Sequence, residues 1–275
     1  MRKAGLDIGR NAPKIFMEGG LKDTFPSFVG TYRPLRLERR LTADDMIVEY
    51  NTSSYYVGAI AKDEAHDGAQ SFIANKANFD TKLLGLVALH RLLRDGDEVA
   101  IVTGHPVENH VEPEKERMRQ LFLGRHELTV NGVCKRFFVS SATVTAEGAA
   151  AMYLLPERPM AAHGIDAGSA TTNFVTWKRG AWVDKLSGTL PFGFENIQNL
   201  QLGQYARMAA YEITRRLRTF IGPVYVMGGR AEELAEALKG YLPVQVFALE
   251  DGVYANAKVY YALGVKLSEK VSAKQ

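Results

Sequence analysis

The chain is 275 residues long, 46% hydrophobic and 24% charged, with a formal net charge of +3. That length and composition exclude a disordered chain and leave room for one large domain or two modest ones around real cores. The near balance of 34 basic and 31 acidic residues excludes a whole-chain electrostatic nucleic-acid binder, and the single cysteine, Cys134, excludes an intramolecular disulfide or a cysteine metal cluster.

The start, Met1-Arg2-Lys3, reaches Asp7 without an apolar core, and no run of about 18 apolar residues follows anywhere. Neither a signal peptide nor a membrane contact is therefore expected, and the expected location is cytoplasmic. Residues 3–8 have a strand pattern, Gly9-Arg10-Asn11 a turn, 14–18 a second strand, Gly19-Gly20 another turn and 21–25 a third strand. Residues 26–76 are less regular and read as a small insert. It carries arginines between 33 and 40 and an aromatic strand at Tyr55-Tyr56-Val57. Residues 79–94 predict a helix with a broad leucine face, closed by Gly96 as its C-cap. Residues 98–103 form a buried strand pattern and 113–122 a helix with Pro113 in its first turn. Asn131-Gly132 between two strand patterns predicts a hairpin. The Ala-rich stretch 145–155 predicts a helix capped by Thr145 and stopped by Pro156.

The second half repeats the opening. A strand ends at Ala167, Gly168-Ser169 turns, 171–177 is a strand, 178–180 turns again and 181–186 follows as a strand. Residues 195–220 predict one long helix, 224–227 a strand, 231–239 a helix, 244–248 a strand and 254–263 a final helix. The polar tail from Lys266 is expected to fray.

Four places carry chemistry. Asp7-Ile8-Gly9-Arg10-Asn11, with Lys14 beyond, and Asp166-Ala167-Gly168-Ser169-Ala170-Thr171-Thr172 share one design: an Asp ends an apolar strand and a Gly follows two residues later. A glycine turn between strands presents successive N–H groups to an anion, Lys14 adds positive charge, and an Asp beside phosphates calls for Mg²⁺ held through water. The bland alternative for each is a tight β-turn with an incidental Asp, and two copies weaken it. Val224-Tyr225-Val226-Met227-Gly228-Gly229-Arg230 runs a strand into bare backbone at a helix start, which suits a flat ring or ribose. Glu147 is either a carboxylate favourable to a helix dipole or one that orients water at a γ-phosphate. No phosphate-binding G-x-x-x-x-G-K-[ST], H-E-x-x-H or G-x-S-x-G motif is present.

In this order the four places resemble the actin, Hsp70 and sugar-kinase superfamily, from Asp7 to Gly264. Within it they are most similar to the ParM-like, plasmid-segregating bacterial actins. Phe25-Pro26-Ser27, Glu147-Gly148-Ala149-Ala150 and Asp251-Gly252-Val253-Tyr254-Ala255-Asn256-Ala257 match further segments of that family. The resemblance implies an α/β, actin-like ATPase fold of two similar domains around a nucleotide cleft. Its expected bounds are 1–158 for domain I with its insert, 159–250 for domain II and 251–275 for a C-terminal helix returning to domain I. It implies ATP/ADP, with GTP open, and Mg²⁺ as cofactors. By position, Asp7 and Asp166 would hold the metal and Glu147 would activate water, with Asp166 beside it in catalysis. Gly9, Arg10, Asn11, Lys14, Gly168, Ser169, Thr171 and Thr172 would hold phosphates, and Gly228, Gly229 and Arg230 the nucleoside.

Arg230 departs from the family's usual third glycine. The short stretch between Asp166 and Gly228 leaves no room for the subdomain called IIB, so a reduced member of the family is expected. The partners implied are the chain itself, as a homopolymeric filament, and a DNA-binding adaptor protein on a centromere-like plasmid site, with no direct sequence-specific DNA contact. Two rivals stay open: a monomeric small-molecule kinase of the same superfamily, and a scaffold that binds nucleotide without turnover.

Overall fold

The computed structural model describes residues 1–70, 76–148, 151–155, 157–195, 197 and 201–272. Two compact units divide them. The first takes residues 1–103, 112–144 and 263–275, the second 104–111 and 145–262.

The first unit is built on β1 (Arg2–Ile8), β2 (Pro13–Met17), β3 (Lys22–Thr24), β4 (Phe28–Thr31), β5 (Asp45–Tyr50), β6 (Ser53–Gly58), α1 (Ala59–Glu64), β7 (Ala69–Gln70), α2 (Phe79–Leu92), β8 (Glu98–His105), α3 (Glu112–Phe122), β9 (Gly124–Val130) and β10 (Val133–Ala146). The strands form one ten-stranded sheet in the order β3-β2-β1-β8-β10-β9-β5-β6-β4-β7. β1 runs antiparallel to β2 and parallel to β8. The insert expected at 26–76 thus adds strands to this same sheet.

Leu83, Leu84, Leu86, Val87 and Leu89 of α2 are all buried, packing with Leu6, Ile15, Met17, Val99 and Ile101. Each fully buried leucine of this kind contributes roughly 1.5–3 kcal/mol. The side chain of Asn78 caps α2 by accepting from Thr81 N–H (2.9 Å). α2 ends at Leu92 with Leu93 in extended backbone, so Gly96 is not its C-cap. Gly96 instead takes the positive φ of the following turn, where its N–H donates to Arg136 O (2.7 Å). Asn131 and Gly132 turn β9 into β10 with φ of 50° and 80°, the left-handed pair that the Asn-Gly hairpin requires.

The second unit holds β11 (Ala161–Ala167), β12 (Thr172–Lys178), β13 (Ala181–Trp182), β14 (Gly188–Leu190), α4 (Leu202–Leu217), β15 (Val224–Gly228), α5 (Ala231–Leu238), β16 (Val246–Ala248) and the first part of α6 (Ala255–Ser272). Its sheet runs β13-β12-β11-β15-β16, with β14 pairing to β12. The pattern β3-β2-β1-β8-β10 of the first unit recurs here: an antiparallel pair followed by a strand parallel to the first, as β15 is to β11. Ile165, Phe174, Val224 and Val226 meet Ala206, Ala209, Ile213, Leu234 and Leu238 from α4 and α5 in one core.

Four further expectations give way. Thr145 and Ala146 end strand β10, so Thr145 caps no helix and Glu147 follows a strand, in a turn with Gly148 at φ +73°. Alanine at 146, 149, 150 and 151 carries helix propensity, but sheet pairing overrides it through Ala146. Ala149 and Ala150 lie outside the described residues. The strand expected at 181–186 closes as two residues and a 3₁₀ turn, and β14 follows. The helix expected from Glu195 starts at Leu202, where Gln201 N–H donates to Gln204 Oε1 (3.1 Å). The tail is not frayed from Lys266, because α6 runs to Ser272.

Candidate functional site

The two glycine hairpins are the same object. In the first, Asp7 pairs with Lys14 and Ile8 with Pro13. In the second, Asp166 pairs with Asn173 and Ala167 with Thr172. Each therefore closes a four-residue turn, Gly9 to Ala12 and Gly168 to Thr171, from the same register. Both glycines sit where a Cβ would press on the turn's last carbonyl: 2.8 Å from Ala12 O at Gly9 and 3.1 Å from Thr171 O at Gly168. Glycine is what the tight turn demands.

In the first unit Asp7 is buried and Lys14 Nζ lies 3.1 Å from where a Cβ on Gly9 would stand, so the ammonium covers the turn. Arg10 and Asn11 form the outer corner. Ser27 pins it from behind: its hydroxyl donates to Gly9 O (2.7 Å) and its N–H to Asn11 O (2.9 Å). The arrangement holds backbone donors beside a fixed cation, which suits an anion.

In the second unit Gly168, Ser169 and Thr171 are half-exposed. The Thr172 side chain turns inward, its hydroxyl donating to Phe192 O (2.8 Å) and sharing a short hydrogen bond with the Tyr205 hydroxyl. Burial pushes the Tyr205 phenol up to about 12. β15 runs parallel to β11 in a register that sets Gly228 beside Ala167. Gly228 has φ +111°, and a Cβ there would stand 2.3 Å from Ala167 O. Gly229 and Arg230 follow in the open. The guanidinium of Arg230 lies over the Phe194 ring (5.3 Å) and is ion-paired with Glu233. The Gly168 turn and the bare Gly-Gly corner thus emerge at the same ends of adjacent parallel strands.

Glu147 and Asp166, both 8% exposed, belong to one polar network. Asn173 Nδ2 donates to Glu147 Oε2 (3.1 Å), and its Oδ1 accepts from the Thr189 hydroxyl (2.7 Å). Asn256 Nδ2 donates to Asp166 Oδ2 (2.9 Å), and its Oδ1 accepts from Gly148 N–H (3.2 Å). Glu147 N–H donates to His105 O (2.9 Å). Gly104 leaves the space: a Cβ there would stand 3.0 Å from Glu147 Cγ. Two carboxylates fixed by two amides, beside the half-exposed Gly168 turn, can orient water and polar ligands. Asn173, Thr189 and Asn256 were not singled out from sequence as site residues. Only the register of β11 with β12 brings Asn173 opposite Asp166, and Asn256 comes from α6.

Among the described residues no three His, Cys, Asp or Glu side chains form a metal cage. Mg²⁺ does not need one, since one or two carboxylates, water and phosphate oxygens suffice. Asp7 and Asp166 are hard oxygen donors of that kind, each beside a glycine turn. No helix among the described residues is long and apolar enough to cross a membrane.

Against known proteins, residues 5–149 match the family described as "Actin like proteins N terminal domain". No curated protein matches the chain. Among solved structures, AlfA from B. subtilis plasmid pLS32, in a filament structure, is similar at 24% identity and TM-score 0.76. That match covers 94% of this chain and 97% of that one. The apo psk41 ParM protein is similar at 17% identity and TM-score 0.77, over 98% and 99%. Ta0583, an archaeal actin homolog in complex with ADP, is similar at 16% identity and TM-score 0.76, over 97% and 99%. These likenesses show the fold: an actin-like one along nearly the whole chain.

Proposed function

The chain belongs to the actin-like proteins, and from that premise we propose that it is a nucleotide-dependent filament protein that hydrolyses ATP and drives plasmid DNA segregation. The observation that carries the reading is the network in which Asn173 and Asn256 hold Glu147 and Asp166 beside the Gly168 turn. The duplicated hairpin supports phosphate binding at both turns, and the Gly228-Gly229 corner supports a nucleoside.

In this reading the N–H groups of the Gly9 and Gly168 turns and the Lys14 ammonium bind phosphate oxygens. Asp7 and Asp166 each offer a carboxylate to Mg²⁺, which, when bound, neutralises developing phosphate charge. Glu147 orients the attacking water, and Asn173 fixes the carboxylate by donating to Oε2. ATP against GTP is decided at the Gly228-Gly229 corner.

The filament structure of AlfA and the ADP complex of the archaeal homolog support assembly and an adenine nucleotide. Between β14 and β15 the described residues hold one helix, α4, which agrees with a reduced second domain. With a net charge of +3, contact with plasmid DNA is assigned to a separate adaptor protein.

A pelleting assay with Mg²⁺ and ATP, ADP or no nucleotide, read beside electron micrographs, tests the proposal. ATP-dependent polymer that is lost in Asp166→Ala is the expected result. A protein that stays soluble at every concentration yet hydrolyses ATP would overturn the filament reading in favour of a small-molecule kinase.

A further inference from the structure

Residues 191–195, Pro-Phe-Gly-Phe-Glu, continue from β14 and lie against the turn that follows β11. Phe194 N–H donates to Gly168 O (3.0 Å) and Glu195 N–H to Ser169 O (2.8 Å). Gly193 approaches so closely that a Cβ there would stand 2.5 Å from both carbonyl oxygens. In a trans peptide the C=O of one residue and the N–H of the next point in opposite directions. With the Gly168 carbonyl turned toward this segment, the N–H of Ser169 is aimed at the opposite face. The segment thus draws acceptors to the back of the turn and sets the Ser169 N–H at its front, the polarity an anion requires.

Aromatic rings hold the segment in place. Phe194 stacks on Tyr205 at 4.3 Å and 26°, and Phe192 meets the same ring edge-on at 5.8 Å. Tyr205 is buried and hydrogen-bonded to Thr172 at the foot of the turn. The Arg230 guanidinium lies over Phe194, steadied by Glu233. Because Arg230 directly follows Gly228-Gly229, one chain of contacts joins that corner to the backing of the phosphate turn.

We infer that 191–195 is a backing strap that fixes the donor face of the Gly168 turn for a nucleotide's phosphates, and that Arg230, acting through Phe194, is a positioning residue for that face. The inference rests on the nucleotide reading above, and it gives Arg230, expected from the family resemblance to hold the nucleoside, a role through Phe194 instead.

Calorimetric titration of the full chain with ADP and with adenosine, both with Mg²⁺, separates the possibilities. Phe194→Ala should weaken ADP at least about tenfold while moving adenosine less than about twofold, and Phe194→Tyr, which keeps the ring face, should restore ADP. Arg230→Ala, at an exposed side chain, should weaken ADP about three- to tenfold with an unchanged unfolding midpoint. ADP bound at wild-type strength by both alanine variants would overturn the strap, as would equal losses of ADP and adenosine in Arg230→Ala. A wild-type chain that binds neither ligand would overturn the nucleotide reading itself, and the strap with it.

Discussion

Asn256→Asp should reverse the sign of one contact and keep the other. Its Oδ1 would still accept from Gly148 N–H, but an oxygen would replace the amide nitrogen that donates to Asp166 Oδ2 at 2.9 Å. Two carboxylates at that separation repel by about 6 kcal/mol at an effective dielectric constant near 20. Taking up a proton at pH 7 costs less, about 4 kcal/mol for a carboxyl whose ordinary pKa is near 3.9. The pair should therefore share a proton, and pH sets the penalty. Because the folded variant binds more protons than the unfolded one, the penalty should shrink by about 1.4 kcal/mol per unit as pH falls, and vanish near pH 4. Asn256→Ala loses both hydrogen bonds, at about 2–4 kcal/mol, without acquiring that slope. Urea unfolding of the two variants from pH 4 to pH 8 gives the comparison, with their difference cancelling every other titrating group. A difference that stays flat with pH would refute the Asp166–Asn256 geometry.

Further outcomes follow from other parts of the molecule. Glu147→Gln should slow ATP hydrolysis by about 10²-fold or more while leaving ADP affinity and polymer yield intact, measured by phosphate release and pelleting; polymers that fail to form would remove Glu147 from the water-activating role. His163 is buried, its Nδ1 hydrogen-bonded to Thr176 Oγ1 and its Nε2 accepting from Ile221 N–H, and burial holds its pKa down at about 4. The unfolded chain protonates this residue first, so its contribution is complete above about pH 6.5 and falls by roughly 3 kcal/mol on the way to pH 4. His163→Gln should flatten that part of the stability–pH curve, and an unchanged slope in urea melts would count against the neutral buried ring. Gly228→Ala should cost about 3 kcal/mol or more and abolish nucleotide binding, since its Cβ would meet backbone at a φ that side chains rarely adopt; a normal thermal midpoint would show that β15 leaves more space than this.

The two glycine hairpins, the Asn131-Gly132 hairpin and the strands β1, β8, β11, β12 and β15 were legible because their signals are local: β-branched runs, Asn-Gly, and an Asp two residues before a Gly. The positions of the Gly168 and Gly228 turns, and the burial of α2, followed from the same reading. Thr145 misled because alanine-rich sequence beyond it favours a helix, while the pairing that keeps 140–146 in β10 comes from elsewhere in the sheet. The start of α4 misled because nothing near Glu195 announces that its N–H will be taken by Ser169 O. Asn173 and Asn256 were illegible as site residues for the same reason. They meet their carboxylates across 26 and 90 residues of chain, through sheet register and helix packing that no short motif encodes.

The matched registers of the two hairpins invite one more reading. At the same rung, one copy sets a cation opposite its aspartate, Lys14 beside Asp7, and the other sets a neutral amide, Asn173 beside Asp166. A repeated fold with identical rungs would offer the same side chains at each turn. The amide breaks that symmetry: it gives up a charge and gains a directed hydrogen bond to Glu147. A single cross-strand pair thus marks where two copies of one architecture ceased to be interchangeable.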